Sequence, residues 1–516
     1  MNRETAIQEI RKEIVWDIII IGGGATGLGC AVDAATRGYK TLLLEKYDFA
    51  KGTSSRATKL VHGGVRYLEQ GNIRLVREAL MERGRLLKNA PHVCHTLAFV
   101  VPFYNRWQKY YYGFGLWLYE WLSAKWSLGA TKLLSKKGAL RNLPNLSEEK
   151  LAGGVLYFDG QFDDSRLAIN LAQTATENGA AVVNYVGAKG FIKEQGKVKG
   201  VEAEDQLTSE SFQIKGKAII NATGVFADEL LQLAEGHKEE TIAPSQGIHL
   251  VLDKHFFKGD AGLMIPKTDD GRVLFAIPWH EKLLIGTTDT AVQSVVTEPV
   301  AMKEEVDFVL RNFNQYASSA IGYSDVLSVF AGLRPLAKVS NTKKTSVMPR
   351  DHHIEVLSSG LIHVTGGKWT TYRNMAEHAV DRAMQSVDLK TGPCKTKDLK
   401  LHGWTDTNEP SHLSIYGSDA AAIKKMMEEK IDGSEKIHPN YPYTIAEVRW
   451  MIHNEMAITV EDILARRIRL LFTDAKAAVE AAPAVATIMA FEMYKNQAWK
   501  DEQVNAFTTL AQGYLL

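Results

Sequence analysis

The pattern of apolar and polar positions predicts secondary structure most clearly near the start of the chain. Residues 17–21 (DIIII) contain a continuous β-branched run, which predicts a strand buried on both faces. The sequence GGGATG follows at once, residues 28–36 have the pattern of a helix, and residues 41–44 (TLLL) form a second apolar strand that ends at Glu45. These segments predict a βαβ unit with parallel strands.

The rest of the chain alternates between helical and strand-like patterns. Helices are predicted for residues 75–87 and for the sequence that follows the glycines of GGKWTTYRNMAEHAVDRAM. Strands are predicted at 154–158, 181–186, 217–220, 273–277, 283–286 and 361–365. The strands at 273–277 and 283–286 are predicted to pair, with Pro278 and His280 near their turn. Residues 443–514 are mostly helical by pattern, and a linker-like segment before them places a domain boundary near residue 390.

Composition narrows the class of protein. Apolar residues make up 45% and charged residues 23% of the 516-residue chain, which is ordinary for a globular protein with a large core. The length predicts two or three domains. The 61 basic and 60 acidic residues give a net charge of +1, which argues against a general nucleic-acid-binding protein.

Neither a metal site nor a membrane-spanning segment is predicted. The three cysteines are far apart, so the sequence predicts no disulfide framework and no zinc site, and it indicates a reducing compartment. His352, His353 and the other histidines have no clear ligand spacing. The N-terminus lacks the apolar core of a signal peptide. The longest apolar-rich run, near 481–491, contains Pro483 and is much shorter than the ~20 residues that a spanning helix needs.

The glycines between the first strand and the first helix predict a dinucleotide site. Gly22, Gly24 and Gly27 form G-x-G-x-x-G, in which the glycines permit the tight turn, the approach of a pyrophosphate and the packing of helix on strand. Glu45 stands 18 residues after Gly27, where it can accept the hydroxyls of a ribose. NAD or FAD is therefore favoured over NADP. The alternative is a strand–helix turn that binds no ligand.

Two later glycine turns favour FAD over NAD. The sequence NATG at 221–224 follows the strand-like KAII, and GGK at 366–368 follows a strand and opens a helix. A helix N-terminus at the second turn would stabilise negative charge on a reduced flavin ring. Two such turns, far apart in the chain, suit the extended FAD better than the more compact NAD.

Several motifs occur in the order found in FAD-dependent glycerol-3-phosphate dehydrogenases, and the chain resembles that family from about residue 17 to residue 373. The motifs are KLVHGGVRYLEQG, NATGVFADEL, PSQGIHLVL, IGTTDT, GLRPL, PRDH and TGGKWTTYR, and the C-terminal EDILARR is also similar. The resemblance implies an α/β fold: a Rossmann-like FAD-binding domain of the glutathione-reductase or D-amino-acid-oxidase type, an α+β substrate domain built on a β-sheet, and a helical C-terminal domain. The expected FAD domain spans 1–390, with substrate parts at roughly 90–155 and 235–345, and the cap spans 391–516.

The resemblance also implies an activity. It is the oxidation of sn-glycerol 3-phosphate to dihydroxyacetone phosphate, with hydride transfer to N5 of non-covalently bound FAD and electrons passed to a membrane quinone. It further implies peripheral contact with the cytoplasmic face of the cell membrane, and a homodimer is a candidate assembly. An oxidase that uses O2 on the same substrate stays open, as does an FAD enzyme for a 2-hydroxy acid or an amine. The near-neutral net charge argues against a fourth alternative, a non-catalytic FAD-binding or tRNA-modifying scaffold.

The resemblance places cationic side chains around the substrate. They are Arg66, with Tyr67 beside it, and His249, Arg334, Arg350 and Lys368, of which Arg66, His249, Arg334 and Lys368 are the expected catalytic residues. A histidine near its ordinary pKa of ~6.5 suits a general base, and a planar guanidinium suits phosphate or a developing alkoxide. The alternatives are a satisfied sheet histidine for His249, a turn arginine for Arg334, a solvated turn for Arg350 and a helix-cap lysine for Lys368.

The glycine turns and the resemblance together give the expected FAD contacts. They are Gly22, Gly24, Ala25, Thr26, Gly27, Glu45, Lys46, Thr53, Ser54, Ser55, Leu60, His62, Gly63, Gly64, Val186, Ala222, Thr223, Gly224, Asp289, Arg334, Gly366, Gly367, Lys368, Trp369 and Thr370. The stretch TSSRATKLVHGGVRYLEQG is expected to run beneath the pyrophosphate towards the isoalloxazine ring. Some flavoproteins link FAD through a histidine, but the family resembled binds it non-covalently, so a structural role is predicted for His62.

The segment 104–126 is unusually aromatic. Ten of its 23 residues are Phe, Trp or Tyr, against 9% for the chain, and Phe114, Trp117, Trp121 and Leu122 recur at helical spacing. Basic residues surround the stripe, namely Arg106, Lys109, Lys125, Lys132, Lys136 and Lys137. Such a stripe is typical of a helix that lies in a membrane interface. The alternative is a stripe packed in the core against another helix, and Glu120 weakens the interfacial interpretation.

Overall fold

The structure is a computed structural model that describes residues 1–69, 71–236, 239–338, 352–406 and 411–516, with the backbone alone described for Arg66 and Glu69. Two predicted substrate contacts, Arg350 and the side chain of Arg66, lie outside the described part of the chain. Within that part, every helix is too short or too polar to cross a bilayer.

Helices and strands alternate along most of the chain. The helices are α1 Arg3–Arg11, α2 Ala25–Arg37, α3 Val65–Glu69, α4 Ile73–Asn89, α5 Arg106–Ser123, α6 Lys136–Asn142, α7 Asp164–Glu177, α8 Ala227–Glu235, α9 Lys303–Asn314, α10 Tyr372–Ser386, α11 Ala420–Glu429, α12 Ile445–Asn454, α13 Leu470–Thr473, α14 Ala475–Glu492 and α15 Gln497–Ala511, with a π-helical turn at Asp462–Arg467. The strands are β1 Trp16–Ile21, β2 Thr41–Leu44, β3 Leu60–Val61, β4 Cys94–Phe103, β5 Lys132–Ser135, β6 Gly153–Phe162, β7 Ala181–Val183, β8 Val186–Glu194, β9 Lys197–Asp205, β10 Ser211–Asn221, β11 Ile242–Asp253, β12 Gly262–Ile265, β13 Leu274–Trp279, β14 Lys282–Gly286, β15 Thr290–Ala291, β16 Val326–Ala337, β17 His352–Val356 and β18 Ile362–Gly366.

The first sheet contains the predicted βαβ unit. Its strand order is β17-β18-β10-β1-β2-β7, and β1 pairs in parallel with β10 and β2. Ile18 and Ile20 of β1 face a core shared with α2, α7 and α10, whereas Ile19 and Ile21 face a core shared with α1 and α8. Helices thus cover both faces, which is why β1 is apolar without a break from Ile18 to Ile21. The prediction of an α/β fold is confirmed.

The second sheet is mostly antiparallel and has the order β15-β11-β14-β13-β12-β4-β6-β3, with β16 paired to β11 and β5 to β6. Apart from β3, its strands fall between residues 94 and 162 and between 242 and 337. β11 lies between β14 and β16, with His249 opposite Gly286 on one neighbour and Phe330 on the other. The boundaries of the substrate domain stay a prediction.

The C-terminal region is helical, as its pattern predicts. Helices α12 to α15 and the π-helical turn bury an apolar cluster that continues into the second sheet at Trp279 and Phe330. The π-helical turn also buries Arg466 and Arg467, which are at most 3% exposed. Asp48, in the loop after β2, forms ion pairs with both arginines. The C-terminal helices are thereby joined to the first sheet by charges as well as by apolar packing.

One strand prediction was wrong. Residues 181–186 were expected to form a single strand, but β7 ends at Val183 and β8 begins at Val186. Tyr185 has φ +56°, a left-handed conformation that a continuous strand cannot contain. Val183 and Val186 on either side of this corner are both fully buried, so the apolar pattern alone does not reveal the break.

Candidate active site

A cavity of about 550 Å³ opens at the edge where β1, β2, β10 and β18 end. Ile21 and Leu44, the last residues of β1 and β2, line it together with residues 222–226 after β10 and the end of β18. The carboxyl edge of parallel strands is where ligands bind in open α/β sheets. The predicted dinucleotide turns, which are far apart in the sequence, meet at this cavity.

Most of the predicted FAD contacts line the cavity. They are Gly22, Gly24, Ala25, Thr26, Glu45, Lys46, Thr53, Ser54, Ala222, Thr223, Gly224, Gly366, Gly367, Lys368 and Trp369. The remaining ones do not line it, namely Gly27, Ser55, Leu60, His62, Gly63, Gly64, Val186, Asp289, Arg334 and Thr370.

Several of the residues outside the lining hold the residues that form it. A Cβ on Gly27 would lie 1.8 Å from the carbonyl oxygen of Gly22, so the glycine lets α2 pack on β1. The amide of Val186 donates to the carbonyl of Glu45 at 2.8 Å. The Ser55 hydroxyl donates to the carbonyl of the lining residue Gly52 at 3.4 Å.

The VHGG segment packs between other elements instead of lining the cavity. Leu60 pairs with Gln161 across β3 and β6. The His62 amide donates to the Thr370 hydroxyl at 3.2 Å, which places two predicted contacts against each other. The Gly63 amide donates to the Tyr119 hydroxyl at 2.7 Å. Gly64 has φ +74°, a conformation that suits glycine, and precedes the turn into α3.

The N-terminus of α2 has the form of an anion-binding site. Gly22 has φ +112°, and the N-cap residue Gly24 has no side chain to satisfy the first amides of the helix. The Ala25 amide donates to the Ser54 hydroxyl at 2.9 Å, at the wall of the cavity. Free amides and the helix dipole favour a negative group here, as the glycine pattern predicts.

Glu45 lies at the end of β2, where the sequence places it. Its carboxylate accepts from the Gly23 amide at 2.5 Å and from the Tyr47 amide at 2.8 Å. Burial raises the pKa of this carboxyl, and the two amide hydrogen bonds oppose that shift. The side chain is thus fixed beside the turn of α2, with its oxygens at the cavity wall.

The third glycine turn brings Lys368 to Tyr67. Gly366 and Gly367 have φ +72° and +88°, so the chain turns sharply between β18 and the 3₁₀ turn that begins at Trp369. The Lys368 ammonium group lies 3.7 Å from the centre of the Tyr67 ring, a cation–π contact. The Trp369 indole donates to the carbonyl of Ser54 at 2.9 Å, which joins this turn to the loop after β2.

Arg334 lies on the second sheet beside the cavity. The guanidinium group donates to the Thr288 carbonyl at 2.8 Å and to the Thr287 hydroxyl at 3.1 Å, and it lies 3.6 Å from Asp289. Asp289, predicted as an FAD contact, therefore faces the arginine. Pro335, the next residue, lines the cavity, and the Leu333 carbonyl accepts from the hydroxyl of the lining residue Thr53 at 2.6 Å, so the backbone on both sides of Arg334 borders the predicted FAD site.

His249 shares a sheet face with Arg334. The Arg334 side chain lies over Gly247, two positions from His249 on β11, and alternate strand residues face the same side. The imidazole stacks on Phe330 with ring centres 4.9 Å apart, and the Thr58 hydroxyl lies 2.9 Å from Nε2. Burial, followed by the charges of Lys59 and Arg334, lowers the pKa of His249 well below its ordinary value. The expectation of an ordinary pKa was wrong, and the ring is neutral at neutral pH.

Some residues of the cavity were missed from the sequence. Lys51 and Gly52 precede the predicted Thr53, and that proximity is a signal that could have found them. Residues 295–297 and Pro335 also line the cavity, but they come from the second sheet and the loop before α9. The residues 295–297 contain no glycine turn or charged group that points to a ligand. Thr58, the partner of His249, was missed as well.

Comparison with known proteins finds two family models that together match most of the chain. A family model described as FAD dependent oxidoreductase matches residues 17–382, and one described as the C-terminal domain of alpha-glycerophosphate oxidase matches residues 361–503. The protein from Homo sapiens named glycerol-3-phosphate dehydrogenase, mitochondrial, is 37% identical over 98% of this chain and 74% of its own length. This chain belongs to the FAD-dependent glycerol-3-phosphate dehydrogenase family.

Two further relatives agree with that assignment. A Caenorhabditis elegans protein named probable glycerol-3-phosphate dehydrogenase, mitochondrial, is 40% identical over 95% of this chain and 72% of its own length. The crystal structure of the Bacillus halodurans glycerol-3-phosphate dehydrogenase complexed with FAD has a TM-score of 0.81 and 30% identity, and covers 99% of this chain and 97% of that one. FAD is accordingly the cofactor of this family member, and the open N-terminus of α2 and the half-buried Glu45 fit its pyrophosphate and ribose.

Proposed function

We propose that this protein oxidises sn-glycerol 3-phosphate to dihydroxyacetone phosphate and passes the electrons to a quinone in a membrane. The observation that carries the proposal is the pairing of Arg334 and His249 on one face of the sheet that borders the FAD cavity. An arginine suits a phosphate or an alkoxide, and a neutral imidazole can accept the proton of a hydroxyl group. The names of relatives that match nearly the whole chain support the same substrate.

Different parts of the cavity wall would bind different parts of FAD. The first amides of α2 would bind the pyrophosphate, and Glu45 would accept hydrogen bonds from the ribose hydroxyls. The turn at Gly366 and Gly367 would face the isoalloxazine ring, with Lys368 beside it. FAD, when bound, supplies the acceptor for the carbon-bound hydrogen and its electron pair.

The protein side of the reaction needs an anchor and a base. Arg334 would hold the substrate by its phosphate or by the oxygen that develops negative charge, because its guanidinium group is fixed by Thr287, Thr288 and Asp289. His249 would take the hydroxyl proton as the carbon is oxidised to the ketone. Tyr67 and Lys368, which contact each other, stay predicted contacts for the substrate. Arg66 and Arg350 stay predicted contacts for the phosphate.

Anaerobic mixing tests the substrate directly. With sn-glycerol 3-phosphate and no oxygen, we expect the absorbance of the oxidised flavin to be lost, since two electrons enter the cofactor. Glycerol and sn-glycerol 1-phosphate serve as controls, because one lacks the phosphate and the other presents the wrong configuration. A holoenzyme with bound yellow cofactor that keeps its absorbance would contradict the proposal.

The acceptor is tested on the reduced enzyme. We expect a short-chain quinone to restore the flavin absorbance faster than dissolved O2 does, with quinol as the product. Hydrogen peroxide formed at a comparable rate without quinone would instead assign the protein as an oxidase. This test leaves the substrate assignment unaffected.

Helix α5 supports membrane contact of the whole protein. One side of the helix leaves its aromatic residues uncovered, with Trp107 76%, Phe114 65% and Trp121 66% exposed. The exposed aromatic face consists of Trp107, Tyr110, Tyr111, Phe114, Trp117 and Trp121. The alternative of a core stripe is wrong for these residues, because only the opposite side, with Leu116, Tyr119 and Leu122, is buried. The surrounding lysines would suit an anionic lipid surface.

Charge placed on the exposed aromatic face should weaken binding to lipid. For the double variant Trp117→Glu, Trp121→Glu, we expect co-sedimentation with phosphatidylglycerol-containing vesicles to fall at least about tenfold, because two aromatic side chains lose their apolar burial. Phe491→Glu is the control, since Phe491 is 74% exposed on α14, outside this face. Unchanged binding of the double variant would move the membrane contact elsewhere. The cytoplasmic location and the homodimer stay predictions.

A further inference from the structure

The imidazole of His249 is held by one polar contact and two apolar ones. The Thr58 hydroxyl lies 2.9 Å from Nε2, while Nδ1 is buried without a hydrogen-bond partner among the described residues. Phe330 stacks on one ring face at an interplanar angle of 18°. A Cβ on Gly286 would lie 2.1 Å from Cδ2, so the absence of a side chain there makes room for the ring. Thr58 alone of these contacts can distinguish one ring nitrogen from the other.

Thr58 itself is fixed by a buried carboxylate on α7. Asp164 accepts from the Ala57 amide at 3.0 Å and from the Lys59 ammonium group at 2.7 Å, so both neighbours of Thr58 are bound to one carboxylate. Asp164 and Lys59 are both 0% exposed. Arg469 also donates to Asp164, at 3.2 Å. This anchoring leaves the Thr58 backbone little freedom to move the hydroxyl away from His249.

We infer that Thr58 is a positioning residue that sets the orientation and the tautomer of His249. If Nε2 carries the proton, it donates to the Thr58 hydroxyl oxygen, and the lone pair of Nδ1 stays available to accept a proton. If Nδ1 carries it, a buried N–H has no acceptor among the described residues, which is the less favourable arrangement of a buried polar group. Thr58 thus keeps His249 as a neutral proton acceptor with a defined ring plane.

The inference rests on the proposed function of His249, and the variants Thr58→Val and Thr58→Ser test it. Valine has nearly the same shape without the hydroxyl, whereas serine keeps it. In anaerobic reduction at saturating sn-glycerol 3-phosphate, we expect the valine variant to be about tenfold slower, as for loss of one orienting hydrogen bond, and serine to restore most of the rate. The substrate concentration for half-maximal rate should change little, because Thr58 does not hold the phosphate.

The outcomes separate the inference from the proposed function. If the wild-type flavin is reduced and the valine variant matches its rate, Thr58 has no positioning role. If serine is as slow as valine, packing and not the hydroxyl is responsible, and the inference is overturned. If the wild-type flavin is not reduced, the proposed function fails, and the tautomer is then decided without substrate by ring-nitrogen NMR of the holoenzyme. There we expect a proton on Nε2 of His249, assigned by the loss of its signals in His249→Gln; a proton on Nδ1 would overturn the inference.

Discussion

Replacing His249 with glutamine is expected to slow anaerobic flavin reduction by sn-glycerol 3-phosphate by about 10²–10⁴-fold, the range typical of a lost general base. Glutamine retains a polar side chain but cannot accept the hydroxyl proton. The substrate concentration for half-maximal reduction should change much less, because Arg334 remains to hold the anion. The measurement is the first-order loss of oxidised-flavin absorbance across substrate concentrations.

The physical basis is the environment of the imidazole. His249 is 2% exposed, and the nearby cations Lys59 and Arg334 disfavour its protonation in addition to burial. The ring therefore enters the reaction neutral at neutral pH and can take up a proton as the substrate oxygen loses one. A bound substrate phosphate would offset part of the positive field and stabilise the imidazolium that forms.

The matched control is His92→Gln. His92 is also buried, and it hydrogen-bonds Asn170 on α7 at 3.1 Å, among residues outside the cavity lining. We expect that variant to reduce its flavin at the wild-type rate per bound FAD. Equal rates in His249→Gln and His92→Gln would remove His249 from the role of base and return it to the alternative of a satisfied sheet histidine.

The parts of the site that are local in sequence could be predicted from it. The apolar run of β1, the spacing of Gly22, Gly24 and Gly27 and the position of Glu45 all follow from one βαβ unit of short connections. Each residue is placed by neighbours within a few positions or by one strand pairing. Five of the six FAD contacts predicted from this unit line the cavity, and the sixth, Gly27, lets α2 pack on β1.

The parts that depend on distant segments could not be predicted in this way. Residues 295–297 reach the cavity only because the second sheet packs beside the first. The lowered pKa of His249 arises from burial and from Lys59 and Arg334, which lie far from it along the chain. The aromatic periodicity of α5 indicates one apolar side but not whether another helix covers it. Periodicity fixes a face, whereas burial depends on the tertiary fold.

Asp48 provides the second large effect, on stability and FAD retention. We expect Asp48→Asn to lower the free energy of unfolding by about 3–5 kcal/mol, the range for breaking a buried ion pair. Its carboxylate receives both Arg466 and Arg467 at 2.5 Å, and neither the acid nor Arg467 has exposed side-chain surface. The substitution leaves two buried guanidinium groups short of one negative charge.

The substitution should also weaken the retention of FAD, because Asp48 lies close in the chain to residues that line the cavity. It follows Glu45 by three residues, in the loop whose later residues Thr53 and Ser54 line the cavity. The ion pairs fasten this loop to the π-helical turn of the C-terminal region, so loosening them should release the wall that holds the ribose. We expect a lower unfolding midpoint in denaturant and fewer moles of FAD per mole of protein after gel filtration.

Acid provides a further check on the same carboxylate. Burial opposes ionisation of Asp48, but Arg467 and Arg466 outweigh it and lower its pKa to about 2. Because the carboxyl pKa is lower in the folded state, the ionised carboxylate stabilises the fold at pH values above its unfolded-state pKa of about 3.9. That contribution is lost as the pH falls towards 2. The free energy of unfolding of Asp48→Asn should therefore fall furthest below that of wild type at neutral pH, and this difference should shrink below about pH 4.

Asp398→Asn is the control for this variant, since Asp398 pairs with Lys88 where the two side chains are 73% and 60% exposed. Water and salt already screen that pair, so we expect its midpoint and its FAD content to match wild type. If Asp48→Asn behaves like Asp398→Asn in both measurements, the buried pairs do not hold the loop after β2. The C-terminal helices would then be joined to the first sheet by apolar packing alone, and FAD retention would depend on the cavity residues themselves.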